Sequence, residues 1–318
     1  MPSRALATWF PLLPPLLAAC GGITTTSAVG KRIGTIAFGE CDASGRSQIF
    51  VAAPDGSRKR QLTRGEGHNW FPAFSPDGRR ILFTHETRAG LEVWLMDSDG
   101  GNQRPLVADG ANLAASWSGD GTRIAYAHAS RPGENLRIWV MDANGANRHQ
   151  LTGATAPEIH ENVPRWSPDG RRIAFTSNRR GGRFEIWVAD AEDGGNLRAL
   201  TSASFDPSLQ AAVEQKVPAW SPDGARIAYW AGVEGTDPRP HLPRAVWVMN
   251  ADGSDQKRLV AGDDPNWSSD GAAIIYSTGG DVGLPALGAV DRNGANARTL
   301  FPVRACRPLQ SSWFGPAG

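Results

Sequence analysis

The chain is poor in cysteine (3), methionine (4) and tyrosine (3), and its 318 residues carry a formal net charge of only +1. So little cysteine excludes a small scaffold held by many disulfides. Acids and bases are interspersed, so there is neither a nucleic-acid-binding stripe nor a polybasic membrane patch, and no nucleic-acid partner is expected. Beyond its first twenty residues the chain has no long apolar run. Helical periodicity is almost absent; only residues 207–217 read as an insertion with some helical character. The six histidines lack the short fixed spacing of a zinc site. There is no G-x-S-x-G elbow, and the D-x-D-G of Asp97–Gly100 has no bidentate Glu to complete a calcium loop. No catalytic residue, metal site or cofactor follows from the sequence.

What is present is repetition. Residues 163–201 read as four short strands: Pro164-Arg165-Trp166-Ser167, a Ser-Pro-Asp-Gly turn, Arg172 to Thr176, Glu185 to Asp190, a second Asp-Gly turn, and Leu197 to Thr201. The turn element returns at Pro72 to Gly78, Ala115 to Gly121, Pro218 to Gly224 and Pro265 to Gly271. An Ile-Ala-Phe-like strand returns at Ile36, Ile81, Ile124, Ile227 and Ile274. Nine of the twelve tryptophans fall on two repeat positions, which makes them architectural. Four strands in about forty residues cannot bury their own faces, so neighbouring units must cover them. Six such units predict an all-β, six-bladed β-propeller of four-stranded antiparallel blades over 32–318. The first unit lacks its opening strand, and Ser311 to Gly315 resembles it. The C-terminal strand is therefore expected to join blade one and close the ring.

Residues 1–19 read as a secretory signal, and Leu17-Ala18-Ala19-Cys20 resembles a bacterial lipoprotein signal with Cys20 as the lipidated residue. An ordinary signal peptide with a chance cysteine is the alternative. Residues 20–31 then form a polar tether, and membrane association would run through the acyl anchor alone. Gly21 rather than Asp after the cysteine points, by the same resemblance, to an outer membrane facing the periplasm where the organism has one. Cys41 and Cys306 fall near the same end of the ring-closing hairpin. A Cys41–Cys306 disulfide latch would be worth about 3–5 kcal/mol by loop entropy; the alternative is two unrelated thiols.

In every unit both tight turns fall on one face, while the long, irregular loops fall on the other, where binding is usually placed. On that loop face lie the candidate partner-binding residues His68, Asn69, Trp70, Asn112, His160, Glu161 and Asn162, with the ends of the second strands (His85 to Arg88, His128 to Arg131) beside them. The three asparagines precede inner strands and are expected to ring the channel mouth, unless they serve turn chemistry. Trp70 lies outside both architectural tryptophan positions and is the best anchor, packing under its own loop being the alternative.

The motif P-x-W-S-P-D-G-x-x-I-A-F-x-S, with I-W-V-x-D-x-x-G and R-x-L-T after it, matches at Pro164 to Ser177, Ile186 to Gly194 and Arg198 to Thr201. It resembles the TolB-type (PD40, WD40-like) propeller repeat. The resemblance implies a cell-envelope binding or scaffold module for a protein or peptidoglycan-linked partner, since the TolB propeller binds the peptidoglycan-associated lipoprotein; a closed ring has no strand edge to share, so a monomer is expected. The α/β domain that precedes the TolB propeller is not expected here. The repeat is also similar to that of oligogalacturonate lyase-like proteins. The alternative is thus a carbohydrate-binding or lyase-like propeller using loop-face histidines and acids, with or without a divalent metal.

Overall fold

The computed structural model describes residues 34–131, 133–153, 158–206, 211–233, 244–278, 285–304 and 311–315. Cys20 and Cys306 lie outside the described residues, as does His241. Twenty-five strands form six antiparallel sheets, and no helix occurs among the described residues. The inner strands Ser311–Phe314, Asn69–Phe74, Ala111–Trp117, Glu161–Trp166, Ala211–Trp220 and Asp263–Trp267 each touch the next in a closed cycle, which defines blades 1 to 6. Closure is by the C-terminal strand, which pairs Phe314 to Thr35 and Ser311 to Phe38. The two strands approach so closely there that a Cβ on Gly34 would collide with the Phe314 carbonyl. Of the stretch that read as helix-like, residues 207–210 lie outside the described residues and 211–217 belong to the strand Ala211–Trp220, whose start pairs with Ser204–Asp206. Pairing with its neighbours in blade 5 overrides the local propensity there.

Six apolar clusters fill the six interfaces between blades. The repeat explains this arrangement. Along each second strand the alternation sends Ile and the aromatic one way and the middle residue the other. Ile81 and Phe83 pack against blade 1, while Leu82 packs against blade 3.

A polar seam reinforces these interfaces. The inner-strand tryptophan donates its indole N–H to the inner strand of the preceding blade: Trp117 to Ala73 O (3.2 Å), Trp220 to Arg165 O (3.1 Å) and Trp267 to Ala219 O (3.1 Å). An arginine from the preceding blade stacks on the same ring: Arg80 on Trp117, Arg123 on Trp166 and Arg172 on Trp220, at 4.6–4.9 Å. In the tight turns the Ser hydroxyl donates to the Asp carboxylate, as from Ser118 to Asp120 at 2.6 Å. This bond is the largest influence holding the Asp120 carboxyl down to about 2.

Trp166 is the exception, its Nε1 being buried without a partner. Because Trp166 and Trp220 carry equivalent arginine stacks, they isolate the hydrogen bond. Trp220→Phe is expected to cost about 1 kcal/mol more than Trp166→Phe in urea unfolding. Equal losses would show that the indole bond contributes nothing to the seam.

Candidate functional site

The loop face carries the second-to-third-strand connections and the blade-to-blade links, and the candidate residues there separate into two groups. Asn69, Asn112, Glu161 and Gln215 all stand five residues before the inner-strand aromatic, and all are buried. Asn69 Nδ2 donates to Gln48 Oε1 at 2.8 Å, so its Oδ1 faces His85 Nδ1, which donates at 2.9 Å. Asn112 repeats this with the Asp109 carbonyl (2.7 Å) and His128 (2.7 Å). Glu161 accepts from Thr152 and pairs with Arg179. These groups tie one blade to the next. Asn69, Asn112 and Glu161 are therefore withdrawn from the exposed surface, and the asparagine ring expected at the mouth does not form. The physical reason is desolvation: a buried amide or carboxylate must find fixed partners, and each has found them.

The register also corrects the grouping of asparagines. Asn162 stands one residue further along, at the position of Trp70, Leu113, Lys216 and Asp263, and its Oδ1 accepts from Val163 N–H at 2.7 Å. His85 and His128 are strand residues, because the second-strand ladders run on to Glu86 and Ala129. Each histidine packs edge-on against a tryptophan, His85 on Trp94 and His128 on Trp139.

The half-buried members lie nearer the surface. His68 stacks on Trp70 with centroids 5.5 Å apart and planes 14° from parallel. Ser47 N–H donates to His68 Nδ1 at 3.0 Å, which puts the ring proton on Nε2. Trp70 packs against an apolar group at the channel, and its Nε1 is buried without a partner. The backbone here depends on Gly67, which has φ +85, and a Cβ would strike the Glu86 carbonyl. Gly110 repeats the arrangement before Asn112, against the Ala129 carbonyl.

Across the mouth, His160 contacts Asn135 Oδ1 at 3.3 Å and the edge of Phe184. Lys216 lies 4.1 Å over the same Phe184 ring and pairs with Glu214 at 3.1 Å. Arg244 stacks on Trp230 and pairs with Asp263 at 2.8 Å. Burial, then Lys216 and Arg137, bring the His160 imidazole down to about 4, so it is neutral at pH 7. Phe184 and Trp230 were not singled out in the sequence, whereas Lys216 and Arg244 close two stretches, 202–216 and 235–244, that read as loop-face connections. Counting back from the inner-strand aromatic would have placed Lys216 on the mouth ring. Among the described residues no three His, Cys, Asp or Glu side chains gather as metal ligands.

Six closed blades, a seam of Trp and Arg, and an irregular loop face with a His–Trp stack define an all-β propeller. Residues 106–313 match the PD40 family, described as the TolB beta propeller domain, and the chain belongs to that family. It is 30% identical over 214 residues to the Tol-Pal system protein TolB of Anaeromyxobacter dehalogenans, covering 65% of this chain and 42% of that protein. It is 29% identical over 137 residues to the uncharacterized protein Atu1656 of Agrobacterium fabrum, covering 40% of this chain and 46% of the relative. The chain thus spans less than half the length of these curated relatives. The crystal structure of TolB from Acinetobacter baumannii superposes with a TM-score of 0.70 at 21% identity, over 89% of this chain and 67% of that one, a likeness of fold.

The His160 environment sets a pH dependence. Its folded value lies below the ordinary 6.5, so the unfolded chain binds the extra proton first as pH falls. Stability is expected to be full above pH 6.5 and to decline progressively toward pH 4. The His85 and His128 imidazoles, also lowered chiefly by burial, act in the same direction. His160→Gln should flatten that decline in thermal melts, and an unchanged slope would remove His160 as its source.

Proposed function

We propose that this protein is a cell-envelope β-propeller that binds a protein or peptidoglycan-linked partner through its loop face and performs no chemistry of its own. The carrying observation is the half-buried His68–Trp70 stack beside the channel mouth, an aromatic platform with one polar edge. Such platforms dominate binding hot spots because they offer large rigid area at small entropic cost. His160 and Asn162 complete the contact surface, together with Lys216. The buried Asn69, Asn112 and Glu161 act behind it, holding the strands that carry the platform. Membership in the TolB propeller family supports a scaffold role, and the similar Tol-Pal system protein supports an envelope location. Against the lyase-like reading, His68, His85, His128 and His160 each engage separate partners rather than one another.

Lipidation at Cys20 and a Cys41–Cys306 latch belong to the same reading. Cys41 is disulfide-bonded, and its backbone N–H donates to Arg304 O at 3.0 Å, two residues from Cys306.

A pull-down from solubilised envelopes tests the binding face. A partner retained by the wild-type chain is expected to be lost by a Trp70→Ala, His160→Ala variant that keeps its circular dichroism spectrum. Equal recovery by both would remove this face as the site. Non-reducing peptide mapping should give one cross-linked Cys41–Cys306 fragment and no free thiol at either position. Cys20→Ala should move the protein from the membrane to the soluble fraction.

A further inference from the structure

The seam between blades 1 and 6 departs from the repeat, and a cavity lies at the departure. By strand register, Phe50 takes the third-strand position held by Trp94, Trp139, Trp187 and Trp247 in blades 2 to 5, opposite the second-strand Phe or Tyr. Glu40 takes the position of His85 and His128, two residues beyond that Phe or Tyr. In blades 2 and 3 the histidine closes edge-on against the tryptophan, with centroids 4.8 and 4.7 Å apart. Blade 1 has a smaller ring and a carboxylate at these two positions and cannot form that pair. Beside them is a cavity of about 300 Å³.

Its walls include Glu40, Asp42, Phe50, Lys59, Gln61 and Arg304. Phe38, Glu40, Phe50 and Gln61 share the face of blade 1 that packs toward blade 6, because residues two apart on a strand, and residues paired across antiparallel strands, point the same way. Glu40 is held firmly: its side chain is 5% exposed, Oε1 accepts from Arg304 N–H at 3.0 Å, and Oε2 pairs with Lys59 Nζ at 2.5 Å. The same ammonium lies 5.7 Å from the Phe38 ring centroid and 5.6 Å from that of Phe50. Lys59 therefore has a fixed head, yet 34% of its side chain is exposed, next to the half-buried Phe50 and Gln61. Gln61 Nε2 donates to Thr63 O at 2.8 Å, and Asp42 Oδ1 accepts from Ser44 and Arg46. Among the described residues nothing donates to Gln61 Oε1 or Asp42 Oδ2, so both acceptors are available. Glu40 and Asp42 balance Lys59 and Arg304, and the walls sum to no net charge.

We propose that this cavity binds one uncharged sugar ring of a glycan. Phe50 supplies an apolar patch for the C–H groups of a pyranose, while Lys59 donates and Gln61 and Asp42 accept. A hydroxyl group does both, so a ring that carries several can satisfy donor and acceptor walls together. A carboxylate or phosphate would add negative charge beside Glu40 and Asp42, and an ammonium would add positive charge beside Lys59 and Arg304. In walls already balanced, neither is compensated. A purely apolar ligand would cover these polar groups without pairing them. The volume lies at the lower end of ligand pockets, about 300–1,000 Å³, and suits one ring rather than a chain of them.

Saturation-transfer NMR titration of the full-length protein with cellobiose and N,N′-diacetylchitobiose tests this, with digalacturonate and diglucosamine as charged controls. At least one uncharged disaccharide should bind, and both charged ones should bind about tenfold or more weakly, the scale of one charge-assisted hydrogen bond. Phe50→Trp restores the ring of blades 2 to 5; it should fill the cavity and abolish binding while leaving the melting temperature unchanged or raised. Three results overturn the proposal: no binding by either uncharged disaccharide, equal binding of the charged ones, or undiminished binding by folded Phe50→Trp. Should that variant fail to fold, Gln61→Ala, expected to weaken binding about tenfold, decides together with the charged series. The Trp70→Ala, His160→Ala variant should bind the sugar as the wild type does, so failure of the loop-face reading and failure of this site are told apart.

Discussion

The structure rests on the contact between one blade and the next. A four-stranded sheet of this length has two apolar faces and no second layer, so it exists only when neighbours cover both. The repeat supplies that cover twice over. Alternating residues of the second strand fill both flanking interfaces. The inner-strand tryptophan then reaches back to a carbonyl of the previous blade beneath a stacked arginine. Such a chain of neighbours is stable only when the last meets the first. Pairing of Ser311–Phe314 with Thr35–Phe38 therefore governs the whole ring.

Once the ring is closed, the two faces have different work. Tight Ser-Pro-Asp-Gly and Asp-Gly turns make one face regular, while the other receives connections of unequal length. Histidine illustrates the consequence. His85 and His128 sit at the ends of strands and serve the seams through Asn69 and Asn112, whereas His68 and His160 lie on connections and border open surface. Residue type alone does not separate these roles; a shift of one or two positions along the strand does.

The channel shows the same dependence on register. Position by position the inner strands look alike: each of blades 2 to 6 carries a bulge residue with a left-handed backbone, Phe71, Ala114, Val163, Val217 or Asp264, and the first four pack into one cluster although they come from four blades.

The number of blades, the strand order, the closing strand and the roles of the architectural tryptophans were legible in the sequence, because turn chemistry and two-residue alternation are local and the repeat displays them six times. The hairpin at Ser204–Asp206 was not legible, since its pairing comes from blade 5 rather than from its own residues. The burial of Asn69, Asn112 and Glu161 and the cationic and aromatic grouping of Lys216, Arg244, Phe184 and Trp230 were also settled only by tertiary structure. Each depends on residues far apart in the chain, and the fraction of a turn by which neighbouring blades are offset decides whether such a group meets water, a partner or another charge.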